Sequence, residues 1–501
     1  MDHAAALPSK TDRALAAIVL AAGLGTRMRS DRAKVLHELA GAPLIARALG
    51  AIASLGPAPI VVVVGHQADD VAAAASRALP HADLRFARQA EQRGTGDAAR
   101  RALGELPADF TGDVLIAYGD MPMLDTATIG AFRKSFRARG DALAFISVEL
   151  DDPGAYGRVT RDAAGAVSAI VEARDATPAE LAIREINTGI YLAAAPLLRA
   201  ALGELRADNA QHEYYLTDIV AIARRHGHAV SAWRAPNPAE FAGVNSREEL
   251  ARMEAQIRED VNRQLMAAGV TLLDPATAYI APGVTVGRDT VIGPNVQILG
   301  ACRIGAQVVI EGTAWLRDTV IGDRCHLKLG VRAEECVIGD ECEIGPFANL
   351  RAGTELEGHN RVGNFVETKK ARLGRGAKAS HLSYLGDAFI GRDTNVGCGV
   401  ITVNYDGYDK HVTRIGDRCM VGCDTQLVAP VTVGDDVYVA AGTTIVRDVP
   451  DGALVMAHHP QRERPGWTAQ WHARHAGHPK AAPQPKAEAK TDGNADGTPG
   501  A

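Results

Sequence analysis

The strongest constraint on the fold is a beat of six residues in the second half of the chain. Aliphatic-glycine pairs recur at Val286-Gly287, Ile292-Gly293, Ile304-Gly305, Ile338-Gly339, Ile344-Gly345, Ile390-Gly391, Val396-Gly397, Ile415-Gly416, Val421-Gly422 and Val433-Gly434, most of them six or a multiple of six apart. Asp or Arg commonly follows the glycine. Such a period specifies a parallel β-helix, in which the aliphatic residue points into a narrow prism and small residues take the tight corners. The solenoid is expected over 269–460. Three stretches, 351–370, 380–387 and 403–413, break the beat, and insertions in a solenoid become surface loops where function concentrates.

Upstream the texture is different. Apolar runs at 17–22, 60–64, 114–117 and 143–148 alternate with alanine-rich helical patterns at 43–55, 67–79, 95–103 and 126–139. Continuous apolar strands between helices mean a sheet covered on both faces, so 17–245 reads as a doubly wound, mostly parallel α/β domain. Ligands on such sheets bind at the carboxyl ends of the strands. Between the halves, 246–268 reads as one amphipathic helix: Ser246 and Glu249 form a capping box, and Leu250, Met253, Ile257, Val261 and Leu265 recur at helical spacing. Residues 1–16 are an extension. The tail 461–501 loses the beat, turns Ala/Pro/Lys/Gly-rich from Lys480, and is expected to be partly disordered.

At about 100–200 residues per domain, 501 residues accommodate this two-part layout. A net charge of -6 argues against phosphate-backbone binding, so no nucleic acid partner is expected. The seven cysteines lie in the second half without a Cys-x-x-Cys pair, which favours free thiols in a reducing cytosol. The run Leu15–Ala22 passes directly into Gly23-Leu24-Gly25-Thr26-Arg27-Met28, the turn chemistry of a buried strand rather than a signal peptide, and no run reaches the roughly 20 apolar residues of a membrane span. A soluble cytoplasmic protein is expected.

In Leu20-Ala-Ala-Gly-Leu-Gly-Thr-Arg-Met28, at a strand end, small residues would let backbone N–H groups approach a polyphosphate, and Arg27 and Lys34 would neutralise its charge. The glycines alone fit an ordinary loop with solvated cations equally well, and the string is neither a Rossmann fingerprint nor a Walker loop. In the solenoid, Ser380-His381-Leu-Ser-Tyr-Leu-Gly-Asp387 interrupts the beat with polar groups. A neutral imidazole there could take a proton from an attacking amine, although a lone histidine is equally a surface residue. Arg351, Lys369 and Lys370 stand in a neighbouring interruption, suited to a sugar phosphate.

The first string resembles the signature of sugar-nucleotide pyrophosphorylases, with Ala33 in place of the usual proline before Lys34. Further strings agree in order: Gln89-Ala-Glu-Gln-Arg-Gly-Thr-Gly96, Tyr118-Gly119-Asp120, Tyr156-Gly157-Arg158, Val171-Glu172, Ile186-Asn187-Thr-Gly189, Glu213-Tyr-Tyr-Leu-Thr-Asp218 and Gly243-Val-Asn245. Joined to a hexapeptide solenoid, they resemble the family of bifunctional bacterial enzymes with N-acetylglucosamine-1-phosphate uridylyltransferase and glucosamine-1-phosphate N-acetyltransferase activities. The resemblance runs from about Ala17 to about Trp467. It implies a Rossmann-like nucleotidyltransferase half, a left-handed β-helix, a homotrimer with sites between adjacent solenoids, and a role in precursor synthesis for peptidoglycan and lipopolysaccharide.

The resemblance also implies residue roles. Leu20, Ala21, Ala22, Gly23 and Lys34 would hold the nucleotide of UTP, and Gln89, Gly94 and Thr95 would read the uracil. Tyr118, Gly119, Asp120, Gly157, Glu172, Asn187 and Asn245 would complete the UDP-N-acetylglucosamine site, with Asp120 and Asn245 placing Mg²⁺. Arg27 and Lys34 would be catalytic. In the solenoid, His381 would be the general base; Arg351, Lys369, Tyr384 and Asn395 would bind glucosamine-1-phosphate; Cys398, Asn404, Tyr405, Cys423, Ala441 and His458 would line the acetyl-CoA path. Cys398, Cys423 and His458 stand where the family often has alanine, serine and arginine. His458 implies a weaker grip on coenzyme A phosphates, since neutral imidazole is a poorer phosphate partner than guanidinium.

Three rival readings remain: a monofunctional pyrophosphorylase with a structural or regulatory solenoid, a metal-dependent hydratase of the γ-carbonic-anhydrase type, and a non-catalytic regulatory subunit. Intact loops at 380–387 and 403–407 disfavour the first. The scatter of His326, His359, His381 and His411 disfavours the second. Retention of Arg27, Lys34, Asp120 and Asn245 disfavours the third.

Overall fold

The computed structural model describes residues 14–457 and 461–477. Strand β1 (Leu15–Leu20) starts two residues before the expected boundary and is buried throughout. It is followed by α1 (Leu44–Ala53), β2 (Ile60–Val64), α2 (Ala68–Ala78), β3 (Leu84–Arg88), α3 (Thr95–Gly104), β4 (Asp113–Tyr118), α4 (Thr126–Arg139) and β5 (Leu143–Glu149). A hairpin of β6 (Arg158–Arg161) and β7 (Val167–Val171) precedes β8 (Glu185–Ala194), α5 (Ala195–Glu204), α6 (Asp218–Arg225) and β9 (Val230–Arg234). The sheet order is β9-β5-β8-β4-β1-β2-β3.

Alternation along β1 shows why both faces are apolar. Ala17 and Val19 join Leu49, Val71 and Phe132 of α1, α2 and α4 on one side. Ile18 and Leu20 join Ala98, Leu198 and Ile219 of α3, α5 and α6 on the other. Strand β8 runs antiparallel to β4 and β5, with Asn187 opposite Ser147. This reversal brings the beginning of β8 to the same sheet edge as the ends of β4 and β5.

Helix α7 (Arg247–Ala267) fills the expected linker. The Ser246 hydroxyl accepts from the Glu249 N–H at 3.1 Å, but the Glu249 carboxylate accepts from the Asn245 N–H at 2.6 Å rather than from Ser246, so the capping box is shifted by one residue. Ile257 packs with Met28, Leu39, Leu44 and Val244 of the α/β half. Leu265 belongs to the solenoid core. The buried Asn262 amide donates to Pro275 O and Ala278 O at 2.8 and 3.0 Å, so one helix is pinned at both ends.

From Thr271 to Val455 short strands pair in parallel with the strand three further along, coil upon coil. The prism interior holds aliphatic residues together with Cys302, Cys325, Cys336, Cys342 and Cys419; all seven cysteines are free thiols. The aspartates after the glycines also have a cause. Asp323 accepts from the Ala306 N–H of the preceding coil, Asp340 from Asp323, and Asp435 from Asp417, each at 2.8 Å.

Register corrects the expected insertions. Asn349 pairs with Glu367, 18 residues on, Arg361 with Lys378 and Tyr384 with Ile401, each 17 on. Thus 351–370 and 380–387 are not insertions but part of the coil: the first spans the short strand Glu355–Leu356 and the start of Arg361–Leu373, and the second lies within Lys378–Ile390. Ala388 pairs with Thr413, 25 residues on, so only 403–413 contains a true insertion. In the tail, α8 (Trp467–Arg474) carries two stacked rings, Trp467 and Trp471, 5.2 Å apart.

Candidate active sites

At the end of β1 the chain stays buried through Leu20, Ala21 and Ala22 and emerges at Gly23. Ala21 N–H bonds Val63 O, and Gly119 N–H bonds Leu20 O, each at 3.0 Å, which ties the loop to its neighbours. A single 3₁₀ turn, Thr26–Met28, buries Met28 and leaves Arg27 exposed. Gly25 (φ +61°) allows this turn: a Cβ there would lie 2.6 Å from Lys34 Cβ.

The Lys34 ammonium pairs with Asp120 and donates to Asn245 Oδ1 at 3.1 Å. Glu249 holds the Asn245 backbone through its N–H, and the Asn245 amide donates to Gly243 O at 3.3 Å. Three residues 86 and 211 positions apart are thereby gathered at one point. Because Asp120 Oδ2 and Asn245 Oδ1 both reach a single nitrogen, they converge. An all-oxygen pair supplying few protein ligands suits a hard divalent cation that keeps phosphate and water in its shell.

One cavity of about 690 Å³ is lined by Arg27, Tyr118, Asp120, Gly157, Glu172, Asn187 and Asn245. Burial, opposed by the Thr217 hydroxyl and reinforced by Asp218 and Asp175, raises the Glu172 carboxyl above its ordinary range; Thr217 Oγ1 donates to Glu172 at 3.0 Å. Burial and the Glu172 and Asp120 carboxylates likewise push the Tyr118 hydroxyl well up. Asn187 is held from both ends, donating to the Tyr191 hydroxyl at 2.6 Å and accepting from Gly189 N–H at 3.0 Å.

Leu20 to Gly23, Lys34, Gln89, Gly94, Thr95 and Gly119 do not line that cavity. Thr95 connects this group to the cavity wall, its side chain lying close enough to the Tyr118 hydroxyl to offset part of that upward push. Gln89 donates to Gly94 O at 3.1 Å and to Asp97 at 3.0 Å, and the Gln92 amide donates to Ala22 O at 2.7 Å. Tyr214 backs this loop: its carbonyl accepts from Gly96 N–H at 2.7 Å, and its ring lies under the Arg93 and Arg100 guanidiniums. Sequence reasoning missed Asp97, Tyr214 and the cavity wall supplied by Glu249, Arg252, Met253 and Gln256 of α7. No signal in the sequence set the helix residues apart: Glu249 reads as a capping residue, and Met253 lies on a stripe that reads as core.

In the solenoid, Phe347, Phe365, Leu382, Gly399, Asp424 and Gly442 all have positive φ and mark one corner of successive coils. The residues just before this corner include Asn364, His381, Cys398, Cys423 and Ala441. Asn364 pairs with His381, Asp424 N–H bonds Cys398 O at 2.7 Å, and Gly442 N–H bonds Cys423 O at 2.8 Å. The structure therefore sets His381, Cys398, Cys423 and Ala441 in one row, with His381 and Cys423 exposed and Cys398 half-buried.

On the face beyond this corner stands Tyr384, in register with Glu367, which pairs with Arg351 at 2.8 Å. The inserted loop brings Lys410 against Lys369, and Lys410 and Arg351 together hold the Lys369 ammonium below its ordinary range. Three cations thus gather where a phosphate would relieve them, and Lys410 is one the sequence did not disclose. Asn395 lies on the face before the corner, paired with Lys378 and Met420, and is not brought to Tyr384. Asn404, buried, donates to Asp387 at 2.6 Å, whereas Tyr405 is exposed. Backbone N–H groups of Asp409 and Tyr408, with His411, hold Asp406 far below the usual carboxylate range and order the loop. His458 lies outside the described residues.

His326, His359 and His411 each pair with a carboxylate, and among the described residues no three His, Cys, Asp or Glu gather as a metal cluster. No helix among the described residues is long and apolar enough to cross a membrane.

Residues 17–268 match the model of the MobA-like NTP transferase domain, 274–356 that of the GMPPB C-terminal domain, and 413–447 that of the bacterial transferase hexapeptide (six repeats). The bifunctional protein GlmU of Pelobacter propionicus is 49% identical over 453 residues, covering 90% of this chain and 98% of that protein. That of Trichlorobacter lovleyi is 48% identical over 452 residues, covering 90% and 97%. A solved structure, the crystal structure of HddC from Yersinia pseudotuberculosis, is similar over 48% of this chain and 98% of that one, at 20% identity and a TM-score of 0.37.

Proposed function

Because the chain belongs to the family of bifunctional GlmU proteins, we propose that its two sites act in series: the solenoid acetylates glucosamine-1-phosphate from acetyl-CoA, and the α/β half transfers UMP from UTP to the N-acetylglucosamine-1-phosphate so formed. The products are UDP-N-acetylglucosamine, pyrophosphate and coenzyme A. The observation that carries the uridylyl transfer is the convergence of Lys34, Asp120 and Asn245 beside an exposed Arg27.

In the α/β half, a phosphate oxygen of the sugar-1-phosphate attacks the α-phosphorus of UTP in line, and pyrophosphate leaves; no covalent intermediate is required. Leu20 to Gly23 and Gly119 cradle the nucleotide, and Gly157, Glu172 and Asn187 hold the sugar. Arg27 and Lys34 neutralise charge on the transferred group. Asp120 and Asn245 would hold Mg²⁺, which when bound screens the phosphates and lowers the charge barrier to attack.

In the solenoid, the exposed His381 accepts a proton as the sugar amine attacks the thioester carbonyl, and coenzyme A leaves as the thiolate and is then protonated. Arg351 and Lys369 take the sugar phosphate and Tyr384 packs beside it. Cys398, Cys423 and Ala441, in one row with His381, lie along the coenzyme path with Asn404, Tyr405 and His458. The separation of Asn395 from Tyr384 fits a site completed by an adjacent solenoid. So do the exposed Phe347 and Phe365 rings, stacked at 5.8 Å along the same corner, and the assembly we propose for such a site is a homotrimer. Sedimentation equilibrium tests it: a monomer at micromolar concentration would refute the arrangement. A cytoplasmic location goes with substrates of this kind.

Mass spectrometry of products after giving the purified protein glucosamine-1-phosphate, acetyl-CoA, UTP and Mg²⁺ together tests the whole reading. UDP-N-acetylglucosamine with free coenzyme A and pyrophosphate is expected. Product formed only from preacetylated sugar phosphate would reduce the solenoid to a scaffold.

A further inference from the structure

Gln89 is only 3% exposed, and both hydrogens of its side-chain amide are directed inward, one to Gly94 O at 3.1 Å and one to Asp97 Oδ2 at 3.0 Å. Both partners are pure acceptors, so the NH₂ end of the amide is fixed toward them. Asp97, itself 6% exposed, is held in turn by Arg101 Nε at 2.9 Å one helical turn on. What Gln89 has left to offer is Oε1, which has no hydrogen-bond partner among the described residues.

A side chain that can only accept discriminates between bases. Uracil has an N–H donor at position 3, whereas cytosine has a lone pair there, which would face Gln89 Oε1 with no shared proton. We propose that Asp97 is a specificity-determining positioning residue: by locking the Gln89 amide with its oxygen outward, it makes the site accept uridine and refuse cytidine nucleotides. This rests on the reading that Gln89 meets the base edge. Asp97→Asn removes one of the two acceptors that fix the amide and supplies a donor for Gln89 Oε1, so that only Gly94 O still opposes the turned amide, whose NH₂ would then meet cytosine N3.

The test compares pyrophosphate release from UTP and CTP, each with N-acetylglucosamine-1-phosphate and Mg²⁺, in the full chain. Asp97→Asn is expected to lower the UTP-to-CTP ratio of kcat/KM about tenfold, with acetyl transfer unchanged. Gln89→Ala should lower the ratio too, and adding Asp97→Asn to Gln89→Ala should change nothing further, because Asp97 acts only through Gln89. A ratio unmoved by Asp97→Asn but lowered by Gln89→Ala overturns the proposal and leaves the base-reading role of Gln89 standing. A ratio and UTP KM unmoved by Gln89→Ala overturn that role itself. Should Asp97→Asn lose its cooperative thermal transition, Asp97→Ser, which also removes the fixed acceptor, carries the same comparison.

Discussion

Gly25→Ala isolates the geometry of the first loop. At φ +61° an alanine pays about 1–2 kcal/mol for the left-handed conformation. Its Cβ would also lie 2.6 Å from Lys34 Cβ and 3.5 Å from Lys34 Cα, against the roughly 3.5–4.0 Å that carbon atoms keep. Lys34 Cβ is the root of its side chain and cannot swing aside, so loop and turn must part by about 1 Å, at an overpacking cost of about 1–3 kcal/mol. The sum is roughly 2–5 kcal/mol of stability. Displacing the Lys34 ammonium on that scale should lower uridylyltransferase kcat about a hundredfold. The assay is pyrophosphate release beside thermal unfolding, with acetyl transfer as internal reference. Gly41→Ala supplies the control: Gly41 has φ +79°, but an added Cβ would meet nothing within 4 Å, so this variant should show the backbone cost with full activity. Gly25→Ala with native kcat and an unfolding midpoint equal to that of Gly41→Ala would refute the argument.

Lys34→Met removes the cation bridging Asp120 and Asn245, and a fall of about 10²–10³ in uridylyltransferase kcat with intact acetyl transfer is expected; a change under threefold would count against the assignment. His381→Asn should abolish acetyl transfer and spare uridylyl transfer, as read by coenzyme A release. Burial raises the Glu172 carboxyl, so its ionisation opposes folding at neutral pH; this penalty is absent below the unfolded-state pKa of about 4.3 and grows as pH rises through the folded value. Glu172→Gln, which keeps an acceptor for Thr217, should therefore melt higher than the native protein at pH 7–8, lose that advantage toward pH 4, and bind the sugar phosphate poorly. An advantage that persists at pH 4 would show that the ionised carboxylate is not its source.

The sheet and the linking helix were legible because burial on both faces, or along one stripe, leaves a periodic trace in Ile60–Val64 and in Leu250 to Leu265. The site was legible only through motifs. Nothing local to Lys34 says that Asp120 lies beside it, and Asp97 reads as an ordinary first-turn acid of α3 although its carboxylate reaches back to Gln89. The solenoid shows the limit most clearly. Between 350 and 390 the inward positions are Leu350, Leu356, Val362, Thr368, Leu373, Ala379, Leu385 and Ile390, all buried and five or six residues apart. The beat never stops there: glycine still follows Val362, Leu373, Leu385 and Ile390, but Arg351, Glu357, Lys369 and Ser380 stand in the other slots, and Thr368 and Ala379 are admitted inside. Glycine marks the outer corner and the aliphatic residue marks the interior, and only the interior is required by burial. Where other side chains take the glycine slot, as at Lys369 and Ser380, a pattern built on both signals fails while the coil continues. The apparent interruptions therefore mark the face that gave up its corner chemistry for side chains, and the one real insertion, Asn404 to Val412, is recognised by the step from 17 or 18 residues per coil to 25.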